Sequence, residues 1–338
     1  MIFPKEEERL KMISFYLKML KLKTRMEVLE KHGIYLFPWE SFSDTENLKI
    51  INKLKNILVT GGSGFIASHV CDELTSHGFN VTIFDKKKSK FKKKNQKMFI
   101  GDLASQKQLN KAFKNINTVY HFAATADLYE ANSDLSNTVQ NNILGTLKVL
   151  EACKKNNVKH IIFASSIYAL SEQGGIYSTS KLSAEMIIER YHEKYDINFT
   201  ILRFGTVYGD RANEFNTIYG YLKQAKLNNV ILRNTDGKEK RSYIHVRDVA
   251  KICSKLVGVK YQNKYFNLVG EKKIFVKNLI KIISELVPKL KIIFIKRKRL
   301  YNYKVNPFTY KLRKGKNIKL KRYINLKKSL KKLLEKIN

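Results

Sequence analysis

The 338-residue chain is 43% hydrophobic, enough for one large α/β domain with a second lobe, and no uninterrupted apolar run approaches the ~18–20 residues of a membrane span. Its formal net charge of +36 is uneven: between Lys289 and Asn338 nineteen Lys/Arg face the single acid Glu335, and the run Lys86–Lys97 (KKKSKFKKKNQK) has no acid at all. In a chain rich in Lys, Ile and Asn throughout, such runs read as solvated faces, so no specific nucleic-acid partner is expected.

Residues 1–53 hold the amphipathic stretches FYLKMLKL and MEVLEKHGIYLF and then a polar segment, which predicts an N-terminal helical extension. Three consecutive glutamates and the lack of a clean apolar core argue against a signal peptide. Cys71, Cys153 and Cys253 lie far apart with no metal or redox spacing. They read as small buried side chains of a reduced, cytoplasmic protein with no metal site.

From Asn56 the rhythm changes. Short apolar runs (NILVT, NVTIFD, KMFIGD, TVYHFAA, HIIFASS, FTILRFG) alternate with longer helical patterns such as NNILGTLKVLEACKKN. That alternation predicts βαβ units and a Rossmann-type, doubly wound parallel sheet over residues 54–204. The less regular residues 205–338 predict a smaller substrate-binding lobe, with interleaved Rossmann elements and a basic tail.

The first predicted strand runs into TGGSGFIASH, a Gly61-x-x-Gly64-x-x-Ala67 pattern with Phe65 and Ile66 opening a helix. Glycine permits the tight turn and brings backbone N–H groups close to a pyrophosphate at the helix N-terminus. The second predicted strand ends in Asp85, whose carboxylate suits both hydroxyls of a ribose and repels a 2′-phosphate. NAD is therefore expected over NADP, although Lys86, Lys87 and Lys88 follow at once. Asp102, followed by Leu103, can reach the adenine edge or cap a helix. Phe122, Ala123 and Ala124 end the fourth strand and let a cofactor lie against the backbone. His121 reads as a packed strand histidine.

GIYSTSK places Tyr177 and Lys181 one helical turn apart, after a strand ending in Ser166. A free phenol has a pKa of about 10. A neighbouring ammonium and a cationic nicotinamide ring would lower it, making Tyr177 an acid and base for a substrate hydroxyl that Ser166 orients. Lys181 can also hold the nicotinamide ribose.

In order and spacing, TGGSGFIASH, Asp85, GDL, HFAA, NNILGT, FASS, YSTSK, LRFGTVYG and RSYIHVRDVA resemble the extended short-chain dehydrogenase/reductase superfamily, in its NAD-dependent nucleotide-sugar epimerase/dehydratase branch. The resemblance runs from about Asn56 to at least Gly270. It implies Ser166, Tyr177 and Lys181 as the catalytic set, with Asn142 supporting them from behind. Arg241 is implied as a clamp on a substrate diphosphate, and Thr206 stands where the galactose epimerases have an asparagine. Ile167 and Tyr168 replace the Asp-Glu pair of the sugar 4,6-dehydratases, which removes the acid that drives water elimination. A nucleotide-diphosphate-sugar epimerase is the expected function. A ketosugar reductase or sugar dehydrogenase uses the same three residues, so the motifs do not separate them. A non-catalytic relative binding RNA or an anionic glycan would have no need of the Tyr/Lys pair. Members of the branch often dimerise through a four-helix arrangement, which residues 136–156 and 178–194 could supply.

Overall fold

The structure, a computed structural model, describes residues 55–295 and 301–310; the predicted N-terminal extension and most of the basic tail lie outside the described residues. Seven strands form the central sheet: β1 (Asn56–Thr60), β2 (Asn80–Asp85), β3 (Lys97–Ile100), β4 (Thr118–His121), β5 (His160–Ser166), β6 (Asn198–Phe204) and β10 (Lys264–Leu268). Their spatial order is β10-β6-β5-β4-β1-β2-β3, and each neighbouring pair is parallel. The order reverses between β1 and β4, which opens a crevice beyond the carboxyl ends of those strands.

The central strands are apolar on both faces because both faces are covered. All of β4 and β5 is buried. On one face Leu58, Val119, Ile161 and Phe163 pack with Leu109 of α2 (Gln106–Ala112), Val149 and Leu150 of α5 (Gly145–Lys155), and Ala184 and Ile188 of α6 (Ile176–Tyr195). Fully burying each such Leu, Ile, Val or Phe contributes about 1.5–3 kcal/mol. The other face is covered by α1 (Phe65–Ser76) and α8 (Val246–Lys255), which pack on each other. Tyr120 of β4 donates its hydroxyl proton to the Cys253 carbonyl of α8 at 2.6 Å. The three cysteines are free and buried, and burial raises all three thiols.

Two short helices, α3 (Leu128–Ser133) and α4 (Leu135–Val139), lead through a π-helical turn at Gln140–Leu144 into α5. The smaller lobe carries β7 (Thr206–Tyr208), β9 (Lys240–His245) and β11 (Lys273–Phe275) in one sheet, and β8 (Val230–Arg233) beside β12 (Lys291–Phe294) in another. Its own core joins α7 (Thr217–Asn228), β8 and α9 (Val276–Leu286) through Tyr221, Ile231, Ile280 and Ile283. The lobe is interleaved with the main sheet because β10, drawn from its sequence, pairs with β6.

Candidate active site

A cleft of about 580 Å³ opens where the strand order reverses. At one end lies the turn after β1. Gly61 has φ +67°, and a Cβ there would sit 2.7 Å from Cα and N of Ala123, so only glycine lets this turn approach the end of β4. Gly61 N–H donates to Phe84 O at 2.8 Å and Gly64 N–H to Gly61 O at 2.9 Å. Gly64 is the N-cap of α1 without any side-chain cap, and the first turn carries no acid. The first N–H groups of α1 therefore face a cleft with the positive end of the helix dipole behind them. Phe65 and Ile66 line the same wall.

Asp85 lines the cleft too. One carboxylate oxygen accepts Ser63 N–H and the other Lys87 N–H, both at 3.0 Å, which fixes its orientation. Asp102 and Leu103 complete this end. Asp102 accepts Ala104 N–H at 2.8 Å, and the N-cap of α2 is Ser105. Phe122, Ala123 and Ala124 form the floor. A glycine that must lack a side chain, an uncapped helix N-terminus and an oriented carboxylate together fit the phosphates and ribose of a dinucleotide.

His121 is fully buried beneath this floor. Its Nδ1 lies 2.7 Å from Thr60 Oγ1 and its Nε2 3.0 Å from Thr146 Oγ1. Burial, with Lys181 nearby, lowers its pKa to about 3, so it is neutral and structural, as the sequence indicated.

At the other end stand Ser166, Tyr177 and Lys181. Asn132 replaces the missing cap of α6: its Oδ1 accepts Ile176 N–H at 3.0 Å and its Nδ2 donates to Gly174 O at 3.0 Å. Gly174 and Gly175, both at positive φ, let the chain turn sharply into this helix. Tyr177 and Lys181 then lie in its first turns and line the cleft with Ser166 from the end of β5. Ser166 Oγ accepts Tyr168 N–H at 3.2 Å, and its hydroxyl is the neighbour that favours the phenolate form of Tyr177. Behind them Asn142, 2% exposed in the π-turn, donates to Ser180 Oγ at 3.0 Å and exchanges hydrogen bonds with the Thr125 backbone. It ties the loop after β4 to α6.

The electrostatics differ from the simple expectation of an ammonium lowering the phenol. Burial raises Tyr177 above its ordinary value, and this outweighs the Ser166 hydrogen bond that favours phenolate; the Asp127 charge raises it further. Lys181 is 4% exposed, donates to Ala164 O at 2.9 Å, and is lowered to about 8 by desolvation, opposed by Glu185. The protein groups alone thus bring the two pKa values no closer together.

Two expected substrate contacts lie outside the cleft lining. Thr206 is half-buried on β7, while its neighbours Gly205 and Val207 face the cleft. Arg241 is 9% exposed and engaged elsewhere. Its guanidinium donates to the carbonyls of Lys240 and Tyr303, both at 2.8 Å, and lies 4.0 Å from the Tyr303 ring centroid. The segment 301–310 competes for it and in turn rests on the turn after Ser166, where Tyr168 donates to Asn302 Oδ1 at 3.1 Å. Asp127, Glu130, Asn213, Phe215 and Asn216 instead line the cleft without having been singled out in the sequence. Asp127 and Asn216 were findable as N-caps of α3 and α7, since an Asx residue precedes each helix.

Residues 57–268 match the family described as the NAD dependent epimerase/dehydratase family. A Methanocaldococcus jannaschii protein provisionally named UDP-glucose 4-epimerase is 31% identical over 254 residues, covering 68% of this chain and 81% of that protein. Among solved structures, the UDP-N-acetylglucosamine 4-epimerase of Methanobrevibacter ruminantium, in complex with UDP-N-acetylmuramic acid, has TM-score 0.68 at 28% identity, over 75% of this chain and 88% of its own. The UDP-glucose 4-epimerase of Thermotoga maritima with UDP-glucose has TM-score 0.69 at 26% identity, over 75% and 90%. With its parallel sheet, its dinucleotide cradle and these likenesses, the chain belongs to the NAD dependent epimerase/dehydratase family.

Proposed function

We propose that the chain is a nucleotide-sugar epimerase acting on a UDP-sugar. The observation that carries this reading is the meeting of Ser166, Tyr177 and Lys181 in the same cleft as the Gly61–Gly64 cradle. Relatives acting on or binding UDP-sugars support the nucleotide. NAD, when bound, supplies a hydride acceptor that can return the hydride to the same sugar. The Tyr177 phenol takes the proton of the sugar hydroxyl and gives it back, while Ser166 orients that hydroxyl. Lys181, fixed on Ala164 O, places a positive charge beside the phenol as its proton leaves. Asp85, with an oriented carboxylate, selects a ribose bearing free hydroxyls, hence NAD rather than NADP.

Next to Ser166, Ile167 is buried and the Tyr168 hydroxyl is bonded to Asn302, so neither offers an acid for water elimination. The test is incubation with UDP-, GDP-, CDP- and dTDP-sugars, with and without added NAD, read by mass and sugar stereochemistry. Unchanged mass with an inverted sugar is expected. Loss of one water refutes the epimerase reading in favour of a dehydratase. A change of two hydrogens with stoichiometric cofactor turnover refutes it in favour of an oxidoreductase. The reading includes a homodimer through α5 and α6, supported by the exposure of Met186 (53%) and of Leu144 (40%), just before α5.

The sugar end also carries a charge bias. Asp127 raises the Tyr177 pKa and so lies within electrostatic reach of the reacting group, and Glu130 lines the same wall. A neutral hexose is therefore expected to react with about tenfold or higher kcat/KM than the corresponding uronate, whose carboxylate meets like charge. Both helix-capping bonds, from Tyr129 and Glu130 N–H, go to Asp127 Oδ1. Asp127→Asn thus keeps the cap while removing the charge, and should narrow the ratio between UDP-glucose and UDP-glucuronate; an unmoved ratio rules Asp127 out as its source.

A further inference from the structure

A cluster of buried charge lies directly behind the chemical side chains. Glu185 falls one helical turn past Lys181 on α6 and is 1% exposed. It accepts Arg203 Nε at 3.0 Å and Nη2 at 2.6 Å, and the Ser165 hydroxyl donates to its Oε1. Ser165 immediately precedes Ser166 on β5, and Arg203 belongs to β6. The Arg203 guanidinium lies 4.9 Å from the Tyr265 ring centroid, and the Tyr265 hydroxyl donates to Glu189 on the same helix as Glu185. One carboxylate thereby fastens α6 to β5 and β6.

A carboxylate this deeply buried persists only when paired and hydrogen-bonded. Its placement here has a chemical consequence. Ser166 ends β5 and Tyr177 opens α6, and both line the cleft, so any slip between those elements moves them apart. Several groups face Lys181: neutral His121 from β4, the Ala164 carbonyl and the Phe163 ring from β5, and Glu185 from its own helix. Arg203 from β6 is matched by Glu185. Of these groups Glu185 favours the ammonium electrostatically, against a strong desolvation.

We propose that Glu185 is a positioning residue for the reaction: through Ser165 and Arg203 it sets the register of the helix bearing Tyr177 and Lys181, and its charge keeps Lys181 as an ammonium. The role rests on the epimerase reading for its kinetic assay alone. Because Glu185→Gln leaves the partly buried Arg203 without its counter-ion, the double variant Glu185→Gln/Arg203→Gln is measured beside it, together with Glu185→Asp.

In the pH profile of kcat, the loss of activity on the alkaline side reports deprotonation of Lys181. Both neutral variants should lose about tenfold in kcat at pH 8, with that limb moved to lower pH, and Glu185→Asp should restore the limb. A limb that stays in place in the neutral variants, or a kcat within about twofold of the parent, overturns the proposal. A second readout needs no turnover. Because burial lowers Lys181, stability rises as pH increases through its folded pKa toward the unfolded value, where the unfolded chain binds more protons. In urea unfolding across this range the rise should begin at lower pH in Glu185→Gln/Arg203→Gln than in Arg203→Gln; an identical onset refutes the charge role. A parent protein without turnover on any nucleotide sugar sinks the epimerase reading and leaves the unfolding result to decide for Glu185.

Discussion

Tyr177→Phe is expected to lower kcat by about 10²–10⁴-fold while NAD remains bound, because it removes the one oxygen that exchanges a proton with the sugar. The substitution is nearly isosteric. The ring keeps its edge contact with Tyr168, at 6.4 Å between centroids, and Ser166 keeps the Tyr168 N–H at 3.2 Å. Losing the hydrogen bonding of a half-buried phenol costs about 1 kcal/mol, and removing the hydroxyl from its partly desolvated site offsets part of that. Folding should therefore change little while turnover collapses. Cofactor released on denaturation gives the bound fraction, and steady-state assay gives kcat. A variant that turns over within about tenfold of the parent leaves the proposed acid–base role without support, since a general base contributes at least about 10².

The features that a local stretch of sequence dictates could be read without a structure. The six strands from NILVT to FTILRFG stand out as short apolar runs, continuous where both faces are covered as in β1, β4 and β5, and each was found at its expected place. The turn at Gly61 was readable because both its φ and its closeness to Ala123 demand glycine. Tyr177, Lys181 and Ser166 share one helix and one strand end, so spacing alone brought them together. What escaped depends on distant chain segments. The seventh strand, KYFNL, sits at the sheet edge with four of its five residues incompletely buried, and its alternation is too short to register as a strand of the main sheet. Arg241 is held by residues some sixty positions away, a contact without any periodic signature. Glu185 looked like one more acid on a helix until folding placed Arg203 and Ser165 around it. The register of α6 against β5 and β6 is thus set by tertiary hydrogen bonds, and the sequence shows their donors and acceptor but not their meeting.

Lys181→Met should abolish turnover, by about 10³-fold or more, yet leave the protein as stable as the parent or somewhat more so. The opposing terms can be compared. Burial lowers Lys181 from 10.5 to about 8, so holding it as an ammonium at neutral pH costs about 3 kcal/mol. That penalty is present at any pH below about 8 and fades as pH rises toward the unfolded value, where both states lose the proton. Methionine matches the aliphatic stem, can set its thioether against the Phe163 ring in place of the ammonium, 5.0 Å from the ring centroid, and removes the penalty. Against this, Ala164 O loses its donor, which costs about 1–3 kcal/mol. Glu185 loses a neighbouring cation but retains Arg203 at 2.6 Å. The sum lies between zero and about 2 kcal/mol of stabilisation near neutral pH, and turns to a net loss toward pH 10, where the penalty has faded and only the cost of the Ala164 carbonyl remains. Urea unfolding of parent and variant at pH 7 and pH 10 measures it. If the variant is several kcal/mol less stable at pH 7, the ammonium is a structural tie rather than a strained group retained for chemistry. Parity or gain, with turnover lost, identifies Lys181 as a charge that folding alone would discard.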